Sequence, residues 1–235
     1  MTTTMSPGTV AEVIARLRSI EESLPASDGV AVFNRMYLDV TERVAAELGT
    51  GSMFADPAFM AELDVRFAAL WLAAYDDAAE GRKVSAAWAP LFEERTTRGI
   101  FPIQFALAGM NAHIENDLPL AVIATCRSRD VPLSRGSVRR DYDAVNALLA
   151  GAESEIRRSF LTDIEKYVDD EIGPLVHLVS AWNIDKARDL AWISAETMWA
   201  TRHFSFLSGR HRSMLAHTVG LTSRCLLAPV GIRLP

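Results

Sequence analysis

The chain has 235 residues, 49% of them hydrophobic and 23% charged, which is enough to bury a sizeable core without disulfide or metal cross-links. Its formal net charge of −6 argues against a general nucleic-acid-binding protein, whose contact surface would be basic. Cys126 and Cys225 are the only cysteines and have no CxxC spacing, which is typical of reduced thiols in a cytoplasmic protein.

The amino terminus gives no sign of export. It lacks the basic and apolar regions of a signal peptide, and no apolar run reaches the roughly 18–20 residues that a bilayer-spanning helix needs. We therefore expect a cytoplasmic protein with no membrane contact. Residues 1–8 are polar and predict a flexible terminus. Because no linker divides the rest, residues 9–235 are expected to form a single domain.

Apolar residues recur at helical spacing along the whole chain, while the β-branched runs typical of strands are scarce. This pattern predicts an all-α protein, an orthogonal bundle of about eight to ten helices. Asp56 followed by Pro57 is typical of a helix start, and so is Asn183 before an apolar periodic segment. The predicted helices cover residues 9–24, 30–49, 57–79, a short segment after Ser85, about 100–115, 118–127, 137–151, 156–172, 184–199 and 208–227.

The stretch from Phe101 to Leu120, FPIQFALAGMNAHIENDLPL, carries polar groups inside strongly apolar sequence. Burying an amide or an imidazole without a partner costs about 1–3 kcal/mol, so these groups must find structural or functional partners. Pro119 predicts a break or kink shortly before it, with Asp117 as the N-cap of the following helix. Gly109 would allow a second helix to approach closely.

His113 and Asp117 are four residues apart and share a face if the helix continues. A carboxylate beside an imidazole fixes its tautomer and raises its pKa, which suits a general acid or base. Asp64, which interrupts the apolar third helix, is a second carboxylate that could orient His113 or pair with Arg188. The structural alternative is that Asp117 only caps a helix and His113 bonds a carbonyl. A metal ion held by His113 and carboxylates is a further alternative.

Other polar and aromatic residues could line the same interior, although such residues more often form solvated faces or ordinary core. Arg188 and Trp192 are four apart, and a guanidinium stacked on an indole could bind an acidic or flat ligand. Aromatic side chains would wall a pocket for an apolar substrate. The candidate substrate-binding residues are Gln104, Asn111, Tyr37, Asn34, Trp71, Phe105, Arg188 and Trp192.

The familiar catalytic and cofactor motifs are absent from the sequence. There is no HExxH, P-loop, GxGxxG, GxSxG or zinc-finger spacing and no ExxH pair, so we expect neither a metal nor a cofactor. Five arginines between residues 127 and 140 could bind an anion, or could form a solvated helix end.

The segment WAPLFEERTTRGIFPIQFALAGMNAHIENDLPLA, residues 88–121, resembles a family of uncharacterised helical proteins that is common in actinobacteria and classed as a domain of unknown function. The GMNAHIxxDLPLA core is its specific part, and weaker matches extend the resemblance over nearly the whole chain. The resemblance implies an all-helical, single-domain, cytoplasmic protein centred on Asn111, His113 and Asp117. Some members lie beside secondary-metabolism genes, which implies an enzyme of natural-product biosynthesis.

The main functional hypothesis is a cofactor-independent acid–base enzyme, a cyclase, isomerase or lyase that acts on a hydrophobic secondary-metabolism intermediate. It requires His113 to border an enclosed space. It predicts that His113→Ala abolishes turnover while the melting temperature stays nearly unchanged. The alternative is a non-catalytic helical module that binds a ligand or another protein. The sequence does not decide between a monomer and a homodimer.

Overall fold

The structure, a computed structural model, describes residues 7–146, 148–149 and 182–229, and all regular secondary structure in these ranges is helical. The predicted all-α class is confirmed. The predicted helix at 156–172 lies outside the described residues. The helices are α1 (Val10–Ser23), α2 (Gly29–Thr50), α3 (Pro57–Ala79), α4 (Ala89–Glu94), α5 (Pro102–Asn111), α6 (Leu118–Ser128), α7 (136–146), α8 (Ile184–Ala200) and α9 (Ser205–Leu226), and a π-helical segment at Ala112–Asp117 joins α5 to α6.

Helix ends follow local capping chemistry. The side chain of Asp56 accepts a hydrogen bond from the backbone N–H of Phe59 at the start of α3, and Asn183 accepts one from that of Lys186 at the start of α8. The predicted N-caps Asp56 and Asn183 are therefore confirmed. Gly51 caps the carboxyl end of α2, and its φ of 67° is in the left-handed region that glycine adopts without strain.

Helix α5 lies at the centre of the described bundle. It packs against α2, α4 and α9, and every residue from 103 to 114 is buried. A helix that is apolar on all sides is expected in this position. A Cβ atom on Gly109 would overlap the ring of Phe33 in α2, so the close helix approach predicted from this glycine is confirmed. A Cβ atom on Gly29 would likewise overlap the ring of Phe105.

The chain passes from α5 to α6 without leaving helical geometry. The N–H of Leu118 donates a hydrogen bond to the carbonyl of His113, five residues earlier, which is the bonding pattern of a π turn. This turn contains one more residue than an α-helical turn and replaces the break predicted before Pro119. The sequence predicts Asp117 as an N-cap here, and that prediction is wrong. Asp117 has helical dihedral angles and its side chain makes no capping bond, because its oxygens bind other groups.

Two predictions from composition can be compared with the described residues. Cys126 is buried, Cys225 is exposed, and both are free thiols. Burial raises the pKa of the Cys126 thiol to about 11, so it stays protonated at neutral pH. In the parts of the chain that the structure describes, no helix combines the length and apolar character that a bilayer-spanning segment requires.

Candidate functional site

A cavity of about 100 Å³ lies among α2, α3, α7, α8 and the junction of α5 with α6. This volume corresponds to about three water molecules, or to a small organic group. Three methionines line it, and their unbranched, flexible side chains can repack around a larger ligand. The apolar part of the wall includes Met36, Val40, Met60, Leu63, Met110 and Val145.

Asp64 brings a carboxyl group to this apolar wall. Its Oδ2 is buried and has no hydrogen-bond partner in the described ranges. Burial disfavours the charged form and raises the pKa of Asp64 to about 7. No ion pair joins Asp64 to His113 or to Arg188, the two partners suggested by the sequence, within the residues that the structure describes.

Tyr37 brings a second polar group to the cavity. Its hydroxyl oxygen is buried and lacks a partner in the described part of the chain. Burial raises the pKa of Tyr37 well above its ordinary value, and the negative charge of Asp64 raises it further. The neighbouring Thr41 side chain opposes this rise, and the charge of Asp117 adds a smaller one. Tyr37 is therefore a hydrogen-bond donor that does not ionise at neutral pH. The charges of Asp64 and Asp117 both affect the pKa of Tyr37, so its hydroxyl lies near both carboxyl groups.

His113 and Asp117 form the predicted pair, with 3.1 Å between His113 Nδ1 and Asp117 Oδ2. Asp117 Oδ2 also accepts a hydrogen bond from Trp88 Nε1 at 2.9 Å, and its Oδ1 accepts one from Asn116 Nδ2 at 2.7 Å. Because a carboxylate only accepts, the neutral imidazole holds its proton on Nδ1. His113 Nε2 is then an unprotonated acceptor, buried and without a partner among the described residues.

The pKa of His113 differs in direction from the sequence-based expectation. Asp117 favours the imidazolium, as expected, through its hydrogen bond and its charge. Burial opposes this effect and is the larger cause, so the pKa of His113 lies below its ordinary value. His113 is 2% exposed, and an ion at that depth loses more hydration than one carboxylate replaces. The imidazole is therefore neutral at pH 7.

The imidazole lies behind the wall of the cavity. The ring of Phe67 is parallel to it with 3.5 Å between ring centroids, and the ring of Tyr37 meets it edge-on at 4.5 Å. Phe67 and Tyr37 line the cavity, as does Phe33, whereas His113 is not among the lining residues. One layer of aromatic side chains thus separates His113 from the space that the enzymatic hypothesis requires it to border.

Two predicted binding amides join helices. Gln104 Nε2 donates to the carbonyls of Leu226 and Ala228 at 2.7 and 2.8 Å. Asn111 Nδ2 donates to the carbonyl of Val219 at 3.0 Å and to a serine hydroxyl one turn further along α9. Neither amide lines the cavity. The structure places both between α5 and α9, where they satisfy buried backbone groups.

Three further candidates lie in the core outside the cavity. Asn34 Nδ2 donates to the carbonyl of Leu17 at 2.9 Å, and its Oδ1 accepts from Trp71 Nε1 at 3.4 Å. Phe105 packs against Gly29 at the start of α2. None of the three candidates, Asn34, Trp71 or Phe105, lines the cavity. Their contacts hold α1, α2, α3 and α5 together.

Arg188 lines the cavity, whereas Trp192 does not. The guanidinium of Arg188 lies 4.2 Å above the ring of Tyr142 rather than on Trp192, so the predicted stack is wrong. Arg139 occupies the face of Trp192 instead, at 4.8 Å. The hydroxyl of Tyr142 donates a hydrogen bond to the backbone carbonyl of Arg188 at 2.7 Å, and this bond holds the Tyr142 ring below the guanidinium.

The sequence pattern does not single out two residues of the cavity wall, Phe67 and Tyr142. Each lies at an apolar helical position and looks like ordinary core. The available signal is the number of methionines, eight in the chain, because methionine is often used where a surface must adapt to a ligand.

A metal site, and an anion site in the arginine-rich segment 127–140, receive little support from the described residues. They contain no group of three or more His, Cys, Asp and Glu side chains that could hold a metal ion. In the arginine-rich segment, Arg129 lies 3.7 Å from both Asp56 and Glu62, and Arg139 pairs with Asp143 at 2.8 Å. These two arginines have carboxylate partners within the protein.

The fold and the site together define an all-α bundle with an apolar internal cavity that two unpartnered polar side chains reach. A family model described as "Family of unknown function (DUF5995)" matches residues 10–229, and the chain belongs to this family. The resemblance to a helical family of unknown function is confirmed by this match. No curated protein and no solved structure matches the chain.

Proposed function

We propose that the chain is a small-molecule enzyme that performs acid–base chemistry on a hydrophobic substrate held in the cavity. The observation that carries the proposal is the pair of unpartnered polar atoms, Asp64 Oδ2 and the Tyr37 hydroxyl, in a mainly apolar cavity wall whose other polar side chains are those of Thr41 and Arg188. Folded proteins pair nearly all buried polar atoms, and unpaired ones call for an explanation such as catalysis.

Asp64 is the proposed general acid or base. With a pKa of about 7, its protonated and ionised forms are both populated near neutral pH, which is the best condition for proton transfer. The apolar wall excludes water and strengthens electrostatic interactions with a bound substrate. These properties suit an isomerase, a cyclase or a lyase, each of which moves a proton on a carbon skeleton.

Tyr37 is the proposed hydrogen-bond donor to the substrate. Its hydroxyl keeps its proton at neutral pH, so it can stabilise negative charge that develops on a substrate oxygen. The charge of Asp64 acts on Tyr37, which supports their cooperation on one substrate. In this proposal the substrate is a hydrophobic molecule with at least one oxygen, as expected of a secondary-metabolism intermediate.

His113 and Asp117 have a positioning role in this proposal. The imidazole packs against Tyr37 and Phe67 and fixes the rings that form the cavity wall. The hypothesis that His113 itself transfers the proton requires Phe67 to move out of the stack. Asp64 needs no such movement, so we assign the reacting role to it.

The test incubates purified protein with an organic-solvent extract of a bacterium rich in secondary metabolites and follows the mixture by liquid chromatography and mass spectrometry. Isomerisation or cyclisation changes the retention time of a compound without changing its mass, and a lyase splits it into two products. We expect such a change with the wild-type protein and with Asp77→Asn, which alters a partly exposed carboxylate on the same helix, but not with Asp64→Asn.

A non-catalytic ligand-binding module is the second candidate. It is favoured by the positions of Gln104, Asn111 and His113, which leave few polar groups at the cavity. For this candidate, compounds from the extract would co-purify with the protein unchanged, and Val145→Phe, which fills the cavity, would release them.

Conversion of a compound by the wild type that persists in Asp64→Asn would contradict the assignment of Asp64.

A further inference from the structure

Arg188 is a buried cation at the cavity, with only 5% of its surface exposed. Its Nε donates to Asn146 Oδ1, and its Nη2 donates to the carbonyl of Tyr142. These bonds use two of the five N–H groups that a guanidinium carries. Both acceptors are neutral, so the hydrogen bonds orient the group without neutralising its charge.

No carboxylate among the described residues forms an ion pair with Arg188. Burial lowers the pKa of Arg188 below its ordinary value. The acidic groups that oppose this effect are Tyr142 first, then Asp143 and Asp185, and neither carboxylate is in contact with the guanidinium. Keeping a guanidinium in such a place is costly unless a counter-charge is present. The unpaired charge therefore calls for an anion that is not among the described residues.

Arg139 provides a contrast within the same cluster. Its guanidinium lies 5.7 Å from the centre of the Tyr142 ring that also faces Arg188. Arg139 is half-exposed and has two carboxylate partners, Asp143 at 2.8 Å and Asp189 at 3.2 Å. The arginine outside the cavity is thus paired twice, whereas the arginine at the cavity is paired with no acid in the described ranges.

We infer that Arg188 binds the carboxylate of the substrate, so that the substrate is a hydrophobic carboxylic acid. The inference rests on the proposed function, because it places this carboxylate in the cavity where Asp64 acts. A planar guanidinium with free N–H groups binds a carboxylate through two parallel hydrogen bonds. The apolar wall then holds the hydrocarbon part of the acid.

The test compares three probes of equal chain length, hexanoate, 1-hexanol and hexylamine, by calorimetry and by the shift in melting temperature. The variants are Arg188→Met, which removes the charge but keeps an unbranched side chain, and Arg139→Met, which removes the paired charge outside the cavity. We expect the wild type and Arg139→Met to bind hexanoate about tenfold more tightly than hexanol, and Arg188→Met to lose this preference. Hexylamine should bind most weakly to the wild type.

The outcomes separate this inference from the proposed function. Equal binding of hexanoate and hexanol by the wild type, or a preference that survives in Arg188→Met, overturns the inference and leaves the apolar cavity intact. Absence of binding by all three probes, or binding that Val145→Phe does not weaken, overturns the ligand cavity itself. If Arg188→Met does not fold, Arg188→Lys serves, and it should retain the preference at a reduced level.

Discussion

The imidazole of His113 lies parallel to the phenyl ring of Phe67, with 3.5 Å between their centroids and 7° between their planes. Phe67 is partly exposed and lines the cavity, whereas His113 is buried behind it. This contact determines whether the conspicuous histidine of the central motif can reach a ligand. It also explains why burial, rather than the neighbouring carboxylate, has the larger effect on the imidazole.

Phe67→Ala should raise the pKa of His113 toward its ordinary value. Removal of the phenyl ring joins the space beside the imidazole to the cavity, so water can reach it and the cost of charging it falls. An NMR titration of the imidazole carbons measures the change. Phe92→Ala is the matched control, because Phe92 stacks on Trp71 and not on the histidine. An identical titration in Phe67→Ala and the wild type would refute this account.

Asp64→Asn should remove a pH dependence of the free energy of unfolding. Because the folded-state pKa of Asp64 is raised to about 7, the folded protein keeps a proton that the unfolded chain releases above about pH 4. This contribution to stability is fully present below about pH 4 and is lost as the pH rises through 7. The variant should therefore gain stability relative to the wild type, by on the order of 4 kcal/mol, between pH 4 and pH 8.

Urea unfolding at several pH values measures this difference, and the comparison of variant with wild type cancels the other titrating groups. Asp77→Asn should show no such gain, because Asp77 is a partly exposed partner of Arg82 on the protein surface, where an ion pair contributes little. A stability difference between Asp64→Asn and the wild type that does not change with pH would show that Asp64 is ionised in the folded state.

Gly109→Ala should destabilise the protein by about 1–3 kcal/mol, although alanine favours a helix. The new Cβ would overlap the ring of Phe33, and α2 would have to move away from α5. Gly49→Ala is the matched substitution, since nothing lies within 4 Å of its added Cβ, and it should stabilise α2 by up to about 1 kcal/mol. Chemical denaturation of both variants measures the opposite signs. Equal effects would mean that helix propensity alone governs both sites.

His113→Ala should lower the free energy of unfolding by about 3 kcal/mol. It removes a ring packed between Phe67 and Tyr37 and takes a donor away from Asp117. This result is opposite to the nearly unchanged melting temperature expected from the sequence alone. His217→Ala, at an exposed site on α9, should change stability by less than about 0.5 kcal/mol. A melting temperature unaffected by His113→Ala would show that the ring does not support the core.

Part of the site was predictable because it depends on neighbours in sequence. The contact between His113 and Asp117 follows from their spacing of four residues, and it is present at 3.1 Å. The helix starts at Asp56 and Asn183 follow from local capping chemistry. Spacing does not state how deeply a pair is buried, and for this reason the direction of the pKa change at His113 could not be inferred.

The stack on Arg188 shows the limit of such reasoning. Arg188 and Trp192 have the spacing of a contact along one helix, but Tyr142 from α7 takes the place above the guanidinium. The competing ring is 46 residues away in the sequence. Periodicity within one segment holds no information about which side chain from another segment arrives there.

The sequence by itself determined the helical class, most helix limits, the central position of the stretch around Gly109 and the polar groups buried in it. These properties depend on hydrophobic periodicity, capping and composition, which act over a few residues. Only the tertiary structure decided which polar groups reach the cavity. Asp64, Tyr37 and Arg188 come from three different helices and line one cavity. Gln104 and Asn111 instead donate hydrogen bonds to backbone carbonyls, and His113 packs against an aromatic ring. The physical reason is that a cavity is what remains between packed helices, so its lining depends on how all of them are rotated and placed.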